Sequence, residues 1–405
     1  MQLNRHNINA SQEEIPHSIF RLLVLPAAVA MHLCLGAMYA WSTFVMPVRE
    51  LSNLSQGVAQ SPYTVFYICF PLSILISGMF LERLGTRLMG CLGGLIFALG
   101  WILGSFGDQG FIWTILCLGG LAGIGAGMAY LVPITVAIRW FPKRKALVTG
   151  IAVAGFGGGS AAVTVFSSRL MASDGAQMTP YEVFRILGFI FLAIVPIAGL
   201  AMKRPVKKGD ITAPKIPFDT LKQRPFWFLF LFMVCGLMAG LTINANLKEL
   251  KPGNTMMQGA WAIAAFAVGN ALGRLIWGLA YDYMKSHHCI RTNLLMQAAM
   301  YLLSFYLIPQ PFGLVIFALI VGFNYGGVLV IYPASVARIW GSEKTGSIYG
   351  WMTASNIVAS GAPLLAGFSY DIFKNFKIPI ITIAIILILV STQTGRVRKA
   401  AEEGL

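Results

Sequence analysis

Long apolar stretches separated by short polar loops dominate the pattern of this sequence. Crossing the hydrocarbon core of a bilayer takes about 20 mostly apolar residues in helical conformation. The pattern predicts an all-α polytopic membrane protein with twelve transmembrane helices, at 21–46, 62–81, 88–106, 111–138, 146–168, 186–202, 225–247, 257–281, 292–309, 312–337, 348–370 and 378–394.

The composition agrees with this pattern. The 405 residues are 57% hydrophobic and 11% charged, whereas soluble domains carry about 25% charged residues. A water-soluble domain is therefore excluded. The first 20 residues are polar and lack the apolar segment of a secretory signal, so we expect the first span itself to start membrane insertion.

The net charge of +15 is distributed unevenly between the two sides of the predicted membrane. The basic residues cluster in loops between spans, which argues against nucleic acid as a partner. The side that holds the termini and the even-numbered loops carries 22 of the 30 Lys and Arg residues, and the other side carries seven. By the positive-inside rule both termini are cytoplasmic, and we expect a multi-pass protein of the bacterial inner membrane.

The sequence also repeats itself at an offset of 200 residues. Matches include Gly36 with Gly236, Pro133 with Pro333 and Trp140 with Trp340. Six spans per half with both termini on one side give parallel halves, the arrangement of the major facilitator fold. We predict an N-terminal tail, an N-terminal six-helix bundle, a cytoplasmic linker, a C-terminal six-helix bundle and a C-terminal tail, at 1–20, 21–202, 203–224, 225–394 and 395–405.

Arg274 is the most informative residue because it lies inside the eighth predicted span. A charge at membrane depth is costly and is a functional hypothesis by default. The spans offer no carboxylate to neutralise it, and a guanidinium binds carboxylates in a bidentate manner. We therefore predict an anion site in a water-filled cavity, with Asn270 on the same helical face. The alternative is that Arg274 binds backbone carbonyls or extends to the interface, and that Asn270 is packing.

Other side chains with polar groups within the spans are weaker candidates for this site. His32 lies in the first span and could contact substrate or carry a proton, since its pKa is ordinarily near neutrality; it could equally be a neutral, satisfied histidine. Tyr39, Tyr130 and Tyr325 would suit the wall of a small-anion cavity, although aromatics in spans are more often packing. The spacing of Cys and His predicts no metal site, and we expect no cofactor.

One loop has the composition of a conformational latch. The segment between the second and third spans places an acid among arginines and glycines, which would permit a tight turn that locks and releases as the halves rock. An ordinary positive-inside loop is the alternative. The candidate gating residues are Gly78, Glu82, Arg83, Gly85 and Arg87, with Asp282 as the repeat partner of Glu82.

Four segments resemble the oxalate/formate antiporter family, which is related to the monocarboxylate transporters of the major facilitator superfamily: MYAWSTFVMPV (38–48), GAGMAYLVPITVAIRWFPKRKALVTGIAVAGFGGG (125–159), GNALGRLIWGLAYD (269–282) and GFNYGGVLVIYP (322–333). The resemblance implies exchange or proton-coupled movement of small carboxylates. It also implies that Arg274 binds the carboxylate, that Tyr39, Tyr130 and Tyr325 line the cavity, and that 78–87 is the family's loop motif, with Glu82 where aspartate is usual.

The chain departs from that family at three further positions. Asn356 stands where the oxalate antiporter has a second cation, Leu329 replaces a second aromatic, and Arg338 stands where an acid is common. One cation instead of two favours a monocarboxylate such as lactate or pyruvate, with Asn356 as a further contact. The coupling species would be a proton or a counter-anion.

Two other groups of functions remain open at this point. A transporter could carry larger anions such as a siderophore, or amino acids, although no buried acid is available for an ammonium group. A polytopic membrane enzyme would need paired acids, a metal cluster or an activated nucleophile, and a sensor would need an output domain. The sequence shows none of these features, so we predict a carrier rather than an enzyme.

Overall fold

The computed structural model describes residues 19–141, 145–172, 177–205, 218–251, 256–341 and 345–396, and all regular elements in these ranges are helical. Most of the predicted tails 1–20 and 395–405 and of the predicted linker 203–224 lies outside these ranges. The N-terminal half contains α1 (Ile19–Leu35), α2 (Ser42–Ser52), α3 (Gln56–Ala59), α4 (Ser61–Leu84), α5 (Thr86–Gly104), α6 (Ala122–Trp140), α7 (Lys145–Ala172) and α8 (Pro180–Leu200).

The C-terminal half follows the short helix α9 (Phe218–Leu221). Its helices are α10 (Arg224–Asn246), α11 (Met256–Tyr283), α12 (Ser286–Leu307), α13 (Gly313–Trp340), α14 (Thr345–Met352), α15 (Ser355–Ala359), α16 (Gly361–Phe373) and α17 (Lys377–Ser391). Nine helical segments within the described ranges are long and apolar enough to cross a membrane. The polar α12, the broken α14–α16 and the short α17 complete the predicted twelve spans.

Several predicted boundaries were wrong by a few residues. The sixth span begins at Pro180 rather than 186, because Thr179 and Glu182 form a capping box and proline occupies the first helical turn. The ninth begins at Ser286 rather than 292. The first span is interrupted by a 3₁₀ turn at Gly36–Ala40, and the eleventh by turns at Thr353 and Ser360.

Glycines allow the same close helix packing in both halves. In the N-terminal half α6 crosses α4, and a Cβ at Gly123 would lie 3.1 Å from the carbonyl oxygen of Phe66. In the C-terminal half α13 crosses α11, where a Cβ at Gly322 would overlap the carbonyl oxygen of Phe266. Small residues let membrane helices approach backbone to backbone, so these crossings are fixed by the sequence.

The two halves are joined by polar contacts at the end of the bundle where α2, α10 and α16 finish. Both carboxylate oxygens of Asp371 accept hydrogen bonds, at 2.7 Å from the backbone N–H of Gln56 and at 2.8 Å from that of Gly57. The Gln56 and Gln60 amides both donate to Oδ1 of Asn246, each at 3.0 Å. We call this group the polar junction, and it holds the halves together at this end.

Two more hydrogen bonds extend the polar junction toward the middle of the bundle. The Tyr63 hydroxyl donates to Oδ1 of Asn244, and the Thr64 hydroxyl donates to the carbonyl of Ser360, each at 3.0 Å. All of these contacts join an N-terminal helix to a C-terminal one, so the end is closed in this conformation.

Candidate functional site

Arg274 and Asn270 lie one turn apart on α11, as the sequence predicted. Nε of Arg274 donates to Oδ1 of Asn270 at 2.9 Å. Asn270 is buried and Arg274 is half-buried. Over the described ranges the structure gives this guanidinium no carboxylate partner, and the hydrogen bond to Asn270 uses only Nε.

The glycines of α13 decide where this pair lies. A Cβ at Gly326 would overlap the carbonyl oxygen of Asn270 and would lie 3.0 Å from the backbone nitrogen of Arg274. The adjacent residue, Tyr325, is thereby held against α11, and its ring lies 5.8 Å from that of Phe266. Close packing therefore places a cation, an amide and a phenol together.

Aromatic side chains of the N-terminal half form the facing wall. The Tyr39 ring lies 5.2 Å from Phe156 and 5.9 Å from Tyr67. Tyr130 lies 5.3 Å from Phe70 and 5.6 Å from Phe156. These rings come from the first, second, fourth and fifth spans, so they give an apolar surface with hydroxyl tips.

Tyr39 and Tyr325 join the two halves directly. Their hydroxyl oxygens are 3.0 Å apart, and their rings meet edge to face at 6.2 Å. The 3₁₀ turn that interrupts the first span carries Tyr39. Gly240 on α10 leaves room for the Tyr325 ring, which a Cβ there would overlap. The two predicted cavity tyrosines therefore meet each other.

The charge of Arg274 acts across the interface between the halves. Arg274 interacts electrostatically with His32 and Tyr130 of the N-terminal half, and with Tyr325 and Tyr349 of its own half. Because α7 packs against α11, the N-terminal wall is held beside the cation. The structure therefore brings together five of the seven predicted binding residues, which are Arg274, Asn270, Tyr130, Tyr325 and His32, and Tyr39 joins them through Tyr325.

His32 is fully buried between aromatic rings. Its Nδ1 lies 3.0 Å from the carbonyl oxygen of Ala28, one turn earlier, and its ring meets that of Tyr130 edge on at 5.2 Å. Its Nε2 is buried and has no hydrogen-bond partner. The backbone bond fixes the orientation of the ring and leaves the second nitrogen available.

Asn356, the seventh predicted binding residue, lies in α15. Its side-chain amide donates to the carbonyl of Thr353 at 3.0 Å, and the residue is half-buried. This bond stabilises the turn that interrupts the eleventh span. The role of Asn356 in binding stays a prediction.

The candidate gating loop forms the predicted tight turn. Gly85 has φ of +82°, a conformation that favours glycine, and it separates α4 from α5. Arg83, Arg87 and Asp282 are exposed, and the side chain of Glu82 lies outside the described part of the structure. A latch involving Gly78, Glu82 and Asp282 therefore stays a prediction.

Arg338 has a structural explanation that the sequence did not provide. Its guanidinium donates to the carbonyls of Met284 and Tyr281, at 2.9 and 3.1 Å, and stands 4.3 Å over the Tyr281 ring. It thus caps the carboxyl end of α11, where a cation is favoured by the helix dipole.

Sequence reasoning missed four aromatic members of the site. Tyr67, Phe70, Phe156 and Tyr349 share the spacing of lipid-facing and packing aromatics, so the hydropathy pattern does not single them out. For Phe70 the repeat offered a signal, because an offset of 200 aligns it with Asn270. The resulting site is a cation held by an amide and faced by aromatic rings, an arrangement suited to a small anion with an apolar body.

Residues 28–363 match the Major Facilitator Superfamily. The oxalate:formate antiporter of Oxalobacter formigenes is 23% identical over 360 residues, covering 85% of each chain. Apicoplast pyruvate carrier 1 of Toxoplasma gondii is 22% identical, covering 84% of this chain and 81% of its own.

Among solved structures, a bacterial homologue of the human lysosomal transporter Spinster aligns with a TM-score of 0.70 at 15% identity, covering 96% of this chain and 99% of its own. That likeness confirms the predicted twelve-helix fold. The match to the family extends over most of the sequence, from the first span to the eleventh. The chain therefore belongs to the major facilitator superfamily, whose members here are transporters rather than enzymes.

Proposed function

We propose that this protein carries small monocarboxylates of the lactate or pyruvate kind across the bacterial inner membrane by alternating access. The observation that carries the proposal is Arg274, a membrane-depth cation oriented by Asn270 and without a carboxylate partner in the described ranges. A monovalent anion would neutralise it. Relatives named for oxalate, formate and pyruvate support small carboxylates as the broader substrate class.

The substrate carboxylate would accept from the two terminal nitrogens of Arg274, because Nε is already bound to Asn270. The apolar body of the substrate would lie against Tyr130 and the rings around it. One cation balances one carboxylate, so a dicarboxylate would carry an excess charge at membrane depth, which is costly. This charge balance favours monocarboxylates.

During the transport cycle, the end that is closed in this conformation would open and the opposite end would close. In this conformation the polar junction joins the halves, and we propose that its end of the bundle faces the periplasm. Rocking the halves apart would break the Asp371 and Asn246 contacts. Without bound substrate, the charge of Arg274 would be uncompensated during that step, which would disfavour it, and this is the physical basis for exchange. The alternative coupling is a proton taken up with the anion.

The test is uptake of radiolabelled L-lactate and pyruvate into proteoliposomes, with and without an inward proton gradient and with and without unlabelled substrate inside. Arg274→Ala should reduce uptake at least thirtyfold, since removing one partner of a desolvated ion pair costs about 2–5 kcal/mol. Arg274→Lys should retain part of the activity, because it keeps the charge and loses the fork geometry. Arg291→Ala, at an exposed arginine of α12, is the matched control.

Stimulation by the gradient would assign proton symport, and stimulation by internal substrate would assign exchange. Normal uptake by Arg274→Ala would contradict the assignment of the site. If the wild type takes up neither acid under any condition, monocarboxylates are wrong, and larger anions or amino acids become the substrates to test.

A further inference from the structure

Glu249 is an acid outside the Arg274 site whose carboxylate is buried, so the expectation from sequence that no acid is buried was wrong. It lies in the turn that follows α10, and both of its carboxylate oxygens are buried without a hydrogen-bond partner. It borders a cavity of 250 Å³. A buried carboxylate without partners is costly when ionised, so this group is suited to bind a proton.

The cavity belongs to the C-terminal half alone. Its other lining residues include Ser304 and Phe305 of α12, Tyr370 of α16, Lys374 just after α16, and Lys377 at the start of α17. Since all of these move with Glu249 when the halves rock as units, opening the polar junction does not by itself expose the carboxylate.

Arg49 is the charged group of the N-terminal half that reaches this region. Nη1 donates to Oε1 of Gln56 in the polar junction at 2.9 Å, and the guanidinium lies 5.8 Å over the Tyr370 ring, which lines the cavity. Its charge acts on Glu249. Arg49 therefore connects the acid to the contacts that close this end.

Within the described ranges, the other charged groups near Glu249 belong to the C-terminal half. Lys248 precedes Glu249, its ammonium nitrogen is buried, and burial lowers its pKa to about 8. Lys374 and Lys377 border the cavity, Lys251 donates to the carbonyl of Gln310, and Asp371 is occupied by the polar junction. All of these groups stay on the same half as Glu249 when the halves separate.

Burial raises the pKa of Glu249 to about 7, against the opposing attraction of Lys248 and Arg49. The carboxyl group therefore changes charge within the physiological pH range. An ordinary glutamate, with a pKa of about 4.3, would stay ionised there.

We propose that Glu249 is a proton-binding site, distinct from the Arg274 site, and that proton binding there weakens the closure of the polar junction. The proposal rests on the proposed function only in assuming that this end opens during transport. Ionised Glu249 attracts Arg49 across the interface and stabilises the closed end. Protonated Glu249 does not.

The direction of the pH effect follows from linkage. Arg49 lowers the pKa of Glu249 while the end is closed, and this influence is lost when the halves separate. The closed state therefore gains stability above a pH of about 7, and loses it as the pH falls through that value. Acidification opens this end.

The test is hydrogen–deuterium exchange of the full-length protein in nanodiscs without substrate, at pH 6, 7 and 8, corrected for the intrinsic pH dependence of exchange. The reporters are the Gln56 and Gly57 amides, which bind Asp371 of the other half only when this end is closed. The wild type should exchange about fivefold faster or more at pH 6 than at pH 8, a coupling of ordinary allosteric size.

Glu249→Gln removes the titration and should exchange at the fast rate at all three pH values. Asp108→Asn, at an exposed acid of the same end, should behave like the wild type. Unchanged protection of the α5 amides shows that a variant is folded. The proposal is overturned if the wild type shows no pH dependence or the reverse one, or if the dependence survives in Glu249→Gln. Because no substrate is present, these outcomes are independent of what Arg274 binds.

Discussion

The two halves use the same helix pair and place different chemistry on it. In α4 and α6 of the N-terminal half, a Cβ at Gly127 would overlap the carbonyl oxygen of Phe70. In α11 and α13 of the C-terminal half, a Cβ at Gly326 would overlap the carbonyl oxygen of Asn270. The repeat thus aligns Phe70 with Asn270 and, one turn later, Ile74 with Arg274.

This comparison shows how a duplicated scaffold becomes an asymmetric site. Both halves share the glycine packing that positions the helix backbones, so this packing stabilises the fold. The residues next to this packing differ between the halves. Phe70 and Ile74 contribute to an apolar wall in one half, whereas Asn270 and Arg274 provide a cation and its orienting amide in the other. Substrate recognition is therefore a property of the difference between the halves.

Among the tests of this comparison, the largest expected effect comes from filling the two glycines that pack against Phe70 and Asn270. Gly127→Ala and Gly326→Ala should each destabilise the protein by about 1–3 kcal/mol, since extra volume in a close-packed site forces the backbone to move. Gly326→Ala should also weaken substrate binding, because it displaces Asn270 and Arg274. Thermal unfolding in detergent and substrate titration well below the unfolding temperature measure the two effects separately.

Gly278→Ala is the control for these substitutions, because nothing lies within 4 Å of a Cβ at that position on α11. It should leave both stability and affinity near the wild-type values. If Gly127→Ala weakened binding as much as Gly326→Ala, the site would not be confined to the C-terminal pair.

The sequence was sufficient for much of this asymmetry. Arg274 stands out because a charge in an apolar span is costly, and the repeat establishes the twelve-helix fold before any contact is known. The breaks in the first and eleventh spans were missed, because hydropathy averages over a window and does not register a 3₁₀ turn such as Gly36–Ala40.

Burial produced by tertiary packing was beyond the sequence as well. Glu249 stands in the polar segment LKELK, which is typical of an exposed loop, and only the packing of α12, α16 and α17 around it removes its carboxylate from water. Likewise, Tyr39 and Tyr325 are far apart in the chain, and their contact depends on how the halves are docked.

An intermediate effect should follow from removing the amide that orients the cation. Asn270→Ala deprives Nε of Arg274 of its acceptor, and we expect a loss of about 1.5 kcal/mol in binding, or roughly tenfold in Kd, as for a hydrogen bond to a charged group. Asn356→Ala should change Kd less, because the Asn356 amide is used by the carbonyl of Thr353. Substrate titration of both variants decides the matter, and an equal loss would place Asn356 in the site.

The smallest expected effect concerns the bond that joins the halves at the centre. Tyr39→Phe removes one partner of the 3.0 Å contact between hydroxyls. Hydrogen bonds within membrane bundles contribute about 0.6 kcal/mol on average, so the exchange of the Gln56 and Gly57 amides should accelerate only about threefold. Tyr325→Phe should do the same, and the double variant should equal either single one, since both remove one bond. Additive effects would mean that each hydroxyl stabilises its own half, and that the halves meet here by packing alone.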